Sequence, residues 1–254
     1  MEVKDRITRD VNVKLVNYTP RPLETVTWAA LVSYWREWSS DSFKNIDRKD
    51  VEEHLPKILS YGHESILEHV TLTFSIEGIS RVCSHQLIRH RIASYTQQSQ
   101  RYVKLNADEV EETFVIPESI KEKPKLYERW KRFMKEAIEL YRESCEVGIH
   151  QEDARFVLPQ AVKTKIIVTM NLRELKHFFG LRTCERAQWE IREVAWRMLE
   201  EIAKNDDLRP IIKWARLGPR CIQLGYCPER ELMPMGCLRR TKTRWEEIIK
   251  KYEE

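Results

Sequence analysis

Arg89, His90 and Arg91 stand together, and Ser99 follows after the seven residues IASYTQQ, ahead of Gln100 and Arg101. Each guanidinium offers a planar fork of donors suited to phosphate or carboxylate oxygens. Ser99 and Arg101, two apart, would face the same side if that piece is extended. Gln86 and Arg89 share a helix face at i, i+3. The chemistry this set supports is capture of a small anion. The competing reading is a solvated basic loop, its cations answering the dipole at a helix C-terminus.

Three further groups carry reactive types. In GHESILEH, residues 62–69, His63, Glu64, Glu68 and His69 look like ligands, but the two histidines are six apart where zinc helices place them four apart. A hydrogen-bonding site fits as well as a helix cap followed by surface charges. Asn171, Arg173 and His177 cluster after a strand, with Asn171 as a helix N-cap and Glu174 as its capping-box partner. Arg182 ends that helix, where pairing with Glu185 is the structural alternative; Arg155 could snorkel. Cys221, Cys227 and Cys237 match no regular zinc spacing, which leaves buried thiols or a disulfide ahead of a metal.

The elements that must position these residues follow from periodicity. Residues 11–18 alternate as a strand, and residues 23–38 carry a helical stripe. Asp47 caps a helix to about Leu59. Val70, Leu72, Phe74 and Ile76 alternate with polar residues as a half-buried strand, ended by Gly78. Ile79, Val82, Gln86 and Arg89 recur at helical spacing. Pro117 and Pro124 bracket a basic loop. Residues 126–147 form a long amphipathic helix with Leu126, Trp130, Phe133, Ala137, Leu140 and Tyr141 on one face. A short helix ends at Pro159, and Thr164–Met170 is a strand. Residues 173–181 and 187–202 are helical, with Gln188 and Arg192 able to reach an interface. Pro210, Pro219, Pro228 and Pro234 mark an irregular, Cys-containing tail from about residue 215, closed by a charged helix at 241–252. Separated strands and runs of helix, without a repeat or a composition shift, predict one α+β domain over residues 1–254.

Bulk composition narrows the function classes. Of 254 residues, 42% are hydrophobic and 33% charged, which is a folded chain rather than a disordered one. A net charge of +4 is too mild for general nucleic-acid binding. No apolar run reaches the length of a membrane span, and MEVKDRITRDVNVKL has no apolar signal core, so the expected location is cytoplasmic.

The RHR-x7-S pattern resembles the signature of the flavin-dependent thymidylate synthases, the ThyX family. The likeness continues in order through HESILEH, QLIRHR, ARFVLP, MNLRELKHFFGLR and AQWEIR, across roughly residues 60–195. It implies a family-specific α+β fold with a mostly antiparallel sheet and flanking helices. It implies reductive methylation of dUMP to dTMP, with methylenetetrahydrofolate as carbon donor, FAD as hydride carrier and NADPH as reductant. It also implies a homotetramer with shared active sites, and no metal. By this resemblance FAD would meet His63, Ser65, Glu68, Arg89, His90, Arg91 and Gln97, with Asn171, Arg173 and His177 supplied by another subunit. The nucleotide would meet Gln86, Arg89, Gln97, Gln98, Ser99, Gln100, Arg101, Arg155 and Arg182. Arg182 would be catalytic, a permanent cation beside the uracil N3 that stabilises the deprotonated ring. Ser65 stands where the family often has Thr, and Thr96-Gln97 where many members have Asn-Glu. Ser99 as a nucleophile has no neighbouring base in the sequence, and Cys83 and Cys184 are the nearby thiols.

Overall fold

Val70, Leu72, Phe74 and Ile76 point into the interior with no exposed surface, as their alternation requires. Burying each contributes about 2 kcal/mol from the water it sheds. In the computed structural model, residues 11–36, 39–105, 109–232 and 236–253 are described. Pro234, expected in the tail, and the first ten residues, used above to judge a signal segment, lie outside them.

In chain order the elements are β1 (Asn12–Tyr18), α1 (Pro22–Leu31), α2 (Arg48–Ser60), β2 (Thr71–Ser80), α3 (Arg81–Leu87), β3 (Ala93–Gln97), α4 (Val110–Thr113), α5 (Glu118–Lys121), α6 (Pro124–Glu146), α7 (Gln151–Ala154), β4 (Lys163–Asn171), α8 (Leu172–Arg182), α9 (Trp189–Ala203), α10 (Arg209–Trp214), α11 (Arg220–Leu224) and α12 (Cys237–Lys250). The strands form one antiparallel sheet in the order β1-β2-β4-β3, so the α+β expectation holds. No helix among the described residues is long and apolar enough to cross a membrane.

The chain makes two compact units, each built from separated stretches. One holds Ile76–Arg89 and Tyr95–Ile167; the other holds Val13–Ser75, His90–Ser94 and Val168 onward. The first unit packs Val110, Phe114, Ile116, Met134, Ile138 and Val162 together, with Trp130 set edge-on to Phe114. In the second, α8 buries Leu172, Leu175, Phe178 and Phe179, and α9 buries Ile191, Val194, Ala195 and Met198.

Several boundaries differ from the sequence expectations. Gly78 does not end β2: at φ 74° it takes a conformation that side chains resist, and the strand runs on to Ser80. Helix α3 therefore starts at Arg81, capped by Ser80 Oγ on the Cys83 amide, and stops at Leu87 before Arg89. Helix α1 ends at Leu31 in tight turns rather than continuing; residues 37 and 38 of the expected helix lie outside the described residues. The stretch between Pro117 and Pro124 holds α5, and Pro124 opens α6, a position where its missing N–H costs nothing. The tail is less irregular than its prolines suggest, because Pro210 and Pro219 start α10 and α11. On α6, Leu126, Phe133 and Leu140 are exposed, and the buried flank is Met134, Ala137, Ile138 and Tyr141.

Candidate active site

Asn171 leaves β4 with extended backbone, and its Oδ1 accepts the Glu174 amide at 2.8 Å, which starts α8. The expected cap is there, but not the capping box: the Glu174 carboxylate turns to His90 instead, 3.4 Å from Nδ1. His90 is buried between two exposed arginines, Arg89 and Arg91. Its Nε2 accepts from Arg182 Nε at 3.0 Å. Its ring stands 5.7 Å from that of His177 and 4.9 Å from Phe178, both edge-on. Residues 174, 177, 178 and 182 form a single stripe of α8 at i, i+3, i+4 and i+8. His90 lies along that stripe. Arg182 is thus held by His90; Glu185, its expected partner, pairs with Arg240.

Electrostatics fix the protonation of this group. Burial, then Arg182, then His177 lower the His90 pKa to about 4. At neutral pH the imidazole is uncharged, with Nε2 as acceptor for Arg182, which leaves Nδ1–H directed at Glu174. Burial raises the Glu174 pKa, against the pull of His177.

The exposed side of α8 holds the GHESILEH segment. Arg173 pairs with Glu68, and Lys176 pairs with Glu64. Ile66 and Leu67 anchor the intervening 3-10 turn while His63, Ser65 and Glu68 stay exposed. Beside it opens a cavity of about 670 Å³ lined by Tyr34, His54, Lys57, Tyr61, His63 and Ser65, among others. Only the last two were expected. His54, Lys57, Ile58 and Tyr61 fall at i, i+3, i+4 and i+7, a face of α2 and its C-cap that mixes types too freely to read as a site. Among the described residues no three His, Cys, Asp or Glu side chains come together to hold a metal.

The other unit gathers the remaining candidates. Gln97 is turned inward, its Nε2 donating to Ser84 Oγ at 3.0 Å and to Thr164 Oγ1 at 3.1 Å. Gln98 donates its amide to the Lys165 carbonyl. The chain is not extended beyond it. Ser99 opens a turn, accepting the Tyr102 and Val103 amides at its carbonyl and the Arg101 amide at its Oγ. That turn, rather than strand alternation, brings Ser99 and Arg101 together. Arg101 Nε donates to Glu152 Oε2 at 2.8 Å, and Arg155 Nε donates to the Glu152 carbonyl. Arg81, missed in the sequence, belongs here: burial and then the charge of Arg155 lower its pKa. Of these guanidinium groups Arg101 meets the Glu152 carboxylate, Arg155 meets its backbone carbonyl, and Arg81 lies within range of the Arg155 charge. Gln86, at the last turn of α3, is half-buried and Gln100 lies in the turn after Ser99. Cys83 is fully buried in α3.

Two expectations for α9 resolve structurally. Gln188 caps it through Oε1 on the Glu190 and Ile191 amides, and Arg192 donates to the Glu185 carbonyl.

Comparison with known proteins gives consistent matches. The family profile described as thymidylate synthase complementing protein matches residues 14–206. A flavin-dependent thymidylate synthase of Pyrococcus furiosus is 75% identical over 94% of this chain and 98% of its own length. The crystal structure of ThyX from Helicobacter pylori complexed with FAD and dUMP shares 27% identity at a TM-score of 0.59, covering 75% of this chain and 93% of that one. A UMP/dUMP methylase, PolB from Streptomyces cacaoi bound with 5-Br dUMP, shares 25% identity at a TM-score of 0.64, covering 84% and 93%.

Proposed function

The chain belongs to the flavin-dependent thymidylate synthase family, and from that premise we propose that it binds FAD and dUMP through the two side-chain groups described above and methylates dUMP to dTMP. The carbon donor is methylenetetrahydrofolate and the reductant NADPH. The whole chain, tail included, works as one synthase domain in the cytoplasm, where its free thiols stay reduced. The observation that carries the reading is Arg182 Nε held at 3.0 Å by an uncharged His90.

The cavity beside GHESILEH fits a flavin. Its size is that of a cofactor site, Tyr34 and Tyr61 offer rings for stacking, and Lys57, His63 and Ser65 offer polar contacts. Arg89 and Arg91, exposed beside His90, suit the diphosphate. Arg173, His177, Asn171 and Glu68 complete the cofactor contacts. When bound, FAD supplies the hydride chemistry. Ser99, Arg101 and Arg155 bind the nucleotide phosphate, aided by Gln86, Gln98 and Gln100. Gln97 supports that set from within through Ser84 and Thr164. Arg182 holds a fixed positive charge at the uracil N3, which favours the deprotonated ring and raises electron density at the carbon to be methylated. A charged His90 would repel Arg182; its low pKa keeps it an acceptor.

Purified protein incubated with FAD should show flavin absorption, bleach anaerobically with NADPH and form dTMP from dUMP and methylenetetrahydrofolate. Arg182→Lys should lose turnover by about 100-fold or more, the scale of a lost charge-stabilising donor. Arg101→Ala should mainly weaken dUMP binding. Normal turnover in Arg182→Lys would remove that residue from the chemistry.

A further inference from the structure

Helix α8 presents Arg182 to His90 on one face, and the tail grips the other. Lys176 and Gly180 lie roughly opposite the stripe of Glu174, His177, Phe178 and Arg182, at about 100° of turn per residue. Against them sits Gln223 of α11. Its Nε2 donates to the Lys176 carbonyl at 2.7 Å and to the Gly218 carbonyl at 2.8 Å, which uses both of its protons. The amide packs so close that a Cβ at Gly180 would stand 3.0 Å from Nε2. The missing side chain of Gly180 leaves the space that Gln223 fills.

Gln223 is itself held from behind. The Arg216 guanidinium donates to its backbone carbonyl at 3.3 Å, and Trp245 of α12 donates from Nε1 to the Leu217 carbonyl at 2.7 Å. The Trp245 ring also lies 2.8 Å from where a Cβ on Gly218 would be, beside the second carbonyl that Gln223 meets. Beyond Arg182 the same tail takes Glu185, through two bonds from Arg240 at 2.8 and 2.5 Å, and Arg186, through Glu229. The family match ends at residue 206, and the substrate and cofactor roles above use nothing after Arg182.

We propose that the tail is a brace for Arg182, with Gln223 as a positioning residue: wedged against Gly180, it holds the last turn of α8 so that the guanidinium keeps the angle His90 sets. The proposal rests on the catalytic role given to Arg182. Gln223 acts through α8 and not on the reacting atoms. The bond from Arg182 Nε to His90 aims the guanidinium only while its Cα stays in place, and α8 ends at Arg182, in the turn where helices fray most readily. The pairs at Glu185 and Arg186 are partly exposed and add little alone. Gln223 is half-buried with both protons placed, so the brace depends most on it.

The test compares Gln223→Ala, Gly180→Ala and the double variant in the full, FAD-loaded chain. Gln223→Ala removes the wedge. Gly180→Ala displaces it while keeping every hydrogen-bonding group, so it stands even if the first variant does not fold. Each should lower kcat by about tenfold or more with KM for dUMP within about twofold, a loss of aim rather than of binding. The double variant should be no worse than Gln223→Ala, because Gln223 supplies the three atoms nearest the added Cβ. Adding Gln223→Ala to Arg182→Lys should cost nothing further in kcat. Hydrogen exchange of the peptide that holds Arg182 should quicken in Gln223→Ala. Unchanged exchange, unchanged kcat, multiplied losses in the double variant, or a further drop in the Arg182→Lys background would each overturn the brace. Normal turnover in Arg182→Lys would overturn it through the role of Arg182 instead, whatever the exchange shows.

Discussion

His90 shows how one side chain can serve both the fold and the site. Its Nε2 orients Arg182, and its Nδ1 faces Glu174, so its charge state is tied to stability. The folded pKa of about 4 lies below the ordinary 6.5. The unfolded chain therefore binds a proton that the folded chain does not between those values. His90's contribution is present above 6.5, is lost as pH falls through that window, and levels off below 4, with a ceiling of about 3 kcal/mol. Glu174, its pKa raised by burial, acts in the opposite direction and softens the slope. His90→Gln keeps an acceptor and a donor without titrating. The urea stability of wild type minus that of His90→Gln should shrink between pH 7 and 4.5; a flat difference would show that His90 is not held neutral. At Gln97 the departure from the commoner family residue also finds a physical account. Gln97 donates to two hydroxyl oxygens, and Ser84 already donates its own proton to the Arg81 carbonyl. A carboxylate there has no proton to give, so it would have to recruit that hydroxyl or turn away.

At the scale of elements, the junction of β4 and α8 sets the direction of five candidate residues. The Asn171 cap fixes where α8 begins, and the helix period then aims Glu174, His177 and Arg182 at His90 and Arg173 at Glu68. Asn171→Ala should cost about 1 kcal/mol, read as a lower denaturation midpoint of the flavin-free protein, while Asn171→Asp should retain most of it. Equal losses in both would mean that the cap is not what Asn171 supplies. This junction was legible because β4 alternates cleanly and Asn precedes an apolar period of 3.6. β3 was not legible. Its residues, ASYTQ, alternate in burial but hold no large aliphatic side chain, and it is an edge strand whose order comes from backbone pairing. Tyr95 adds a bond from its hydroxyl to the Leu87 carbonyl, tying the strand back to the end of α3. The identities of Ser99, Arg101 and Arg155 were readable from type, but the turn and the shared Glu152 that join them are long-range facts. The same holds for Arg182 and His90, which no local pattern connects, and for the cavity wall on α2.

For the whole molecule, the outer surface of α6 bears on assembly. Leu126, Phe133, Leu140 and Val147 recur every seven residues and are 51%, 59%, 51% and 79% exposed. They flank the buried Met134, Ala137, Ile138 and Tyr141, so the apolar arc of this helix is wider than its own unit covers. Sequence reading placed Leu126, Phe133 and Leu140 on one face with Ala137 and Tyr141, because composition and period cannot tell a core stripe from an interface stripe. An exposed heptad row of this kind is costly in water and is the surface expected where a second copy docks. It is consistent with the homotetramer that the family resemblance implies, in which Asn171, Arg173 and His177 of one subunit would complete the flavin pocket of another. Phe133→Glu puts a charge in the middle of the row without touching Met134 or Tyr141. The wild-type chain should sediment as a tetramer and the variant as a smaller species with unchanged far-ultraviolet circular dichroism. Flavin occupancy should fall with the loss of assembly, by about tenfold or more if subunits share the pocket, and higher protein concentration should restore it by mass action. A tetrameric Phe133→Glu would take the α6 row out of the interface, and a dissociated variant that still binds FAD at wild-type strength would show that each subunit holds its flavin alone.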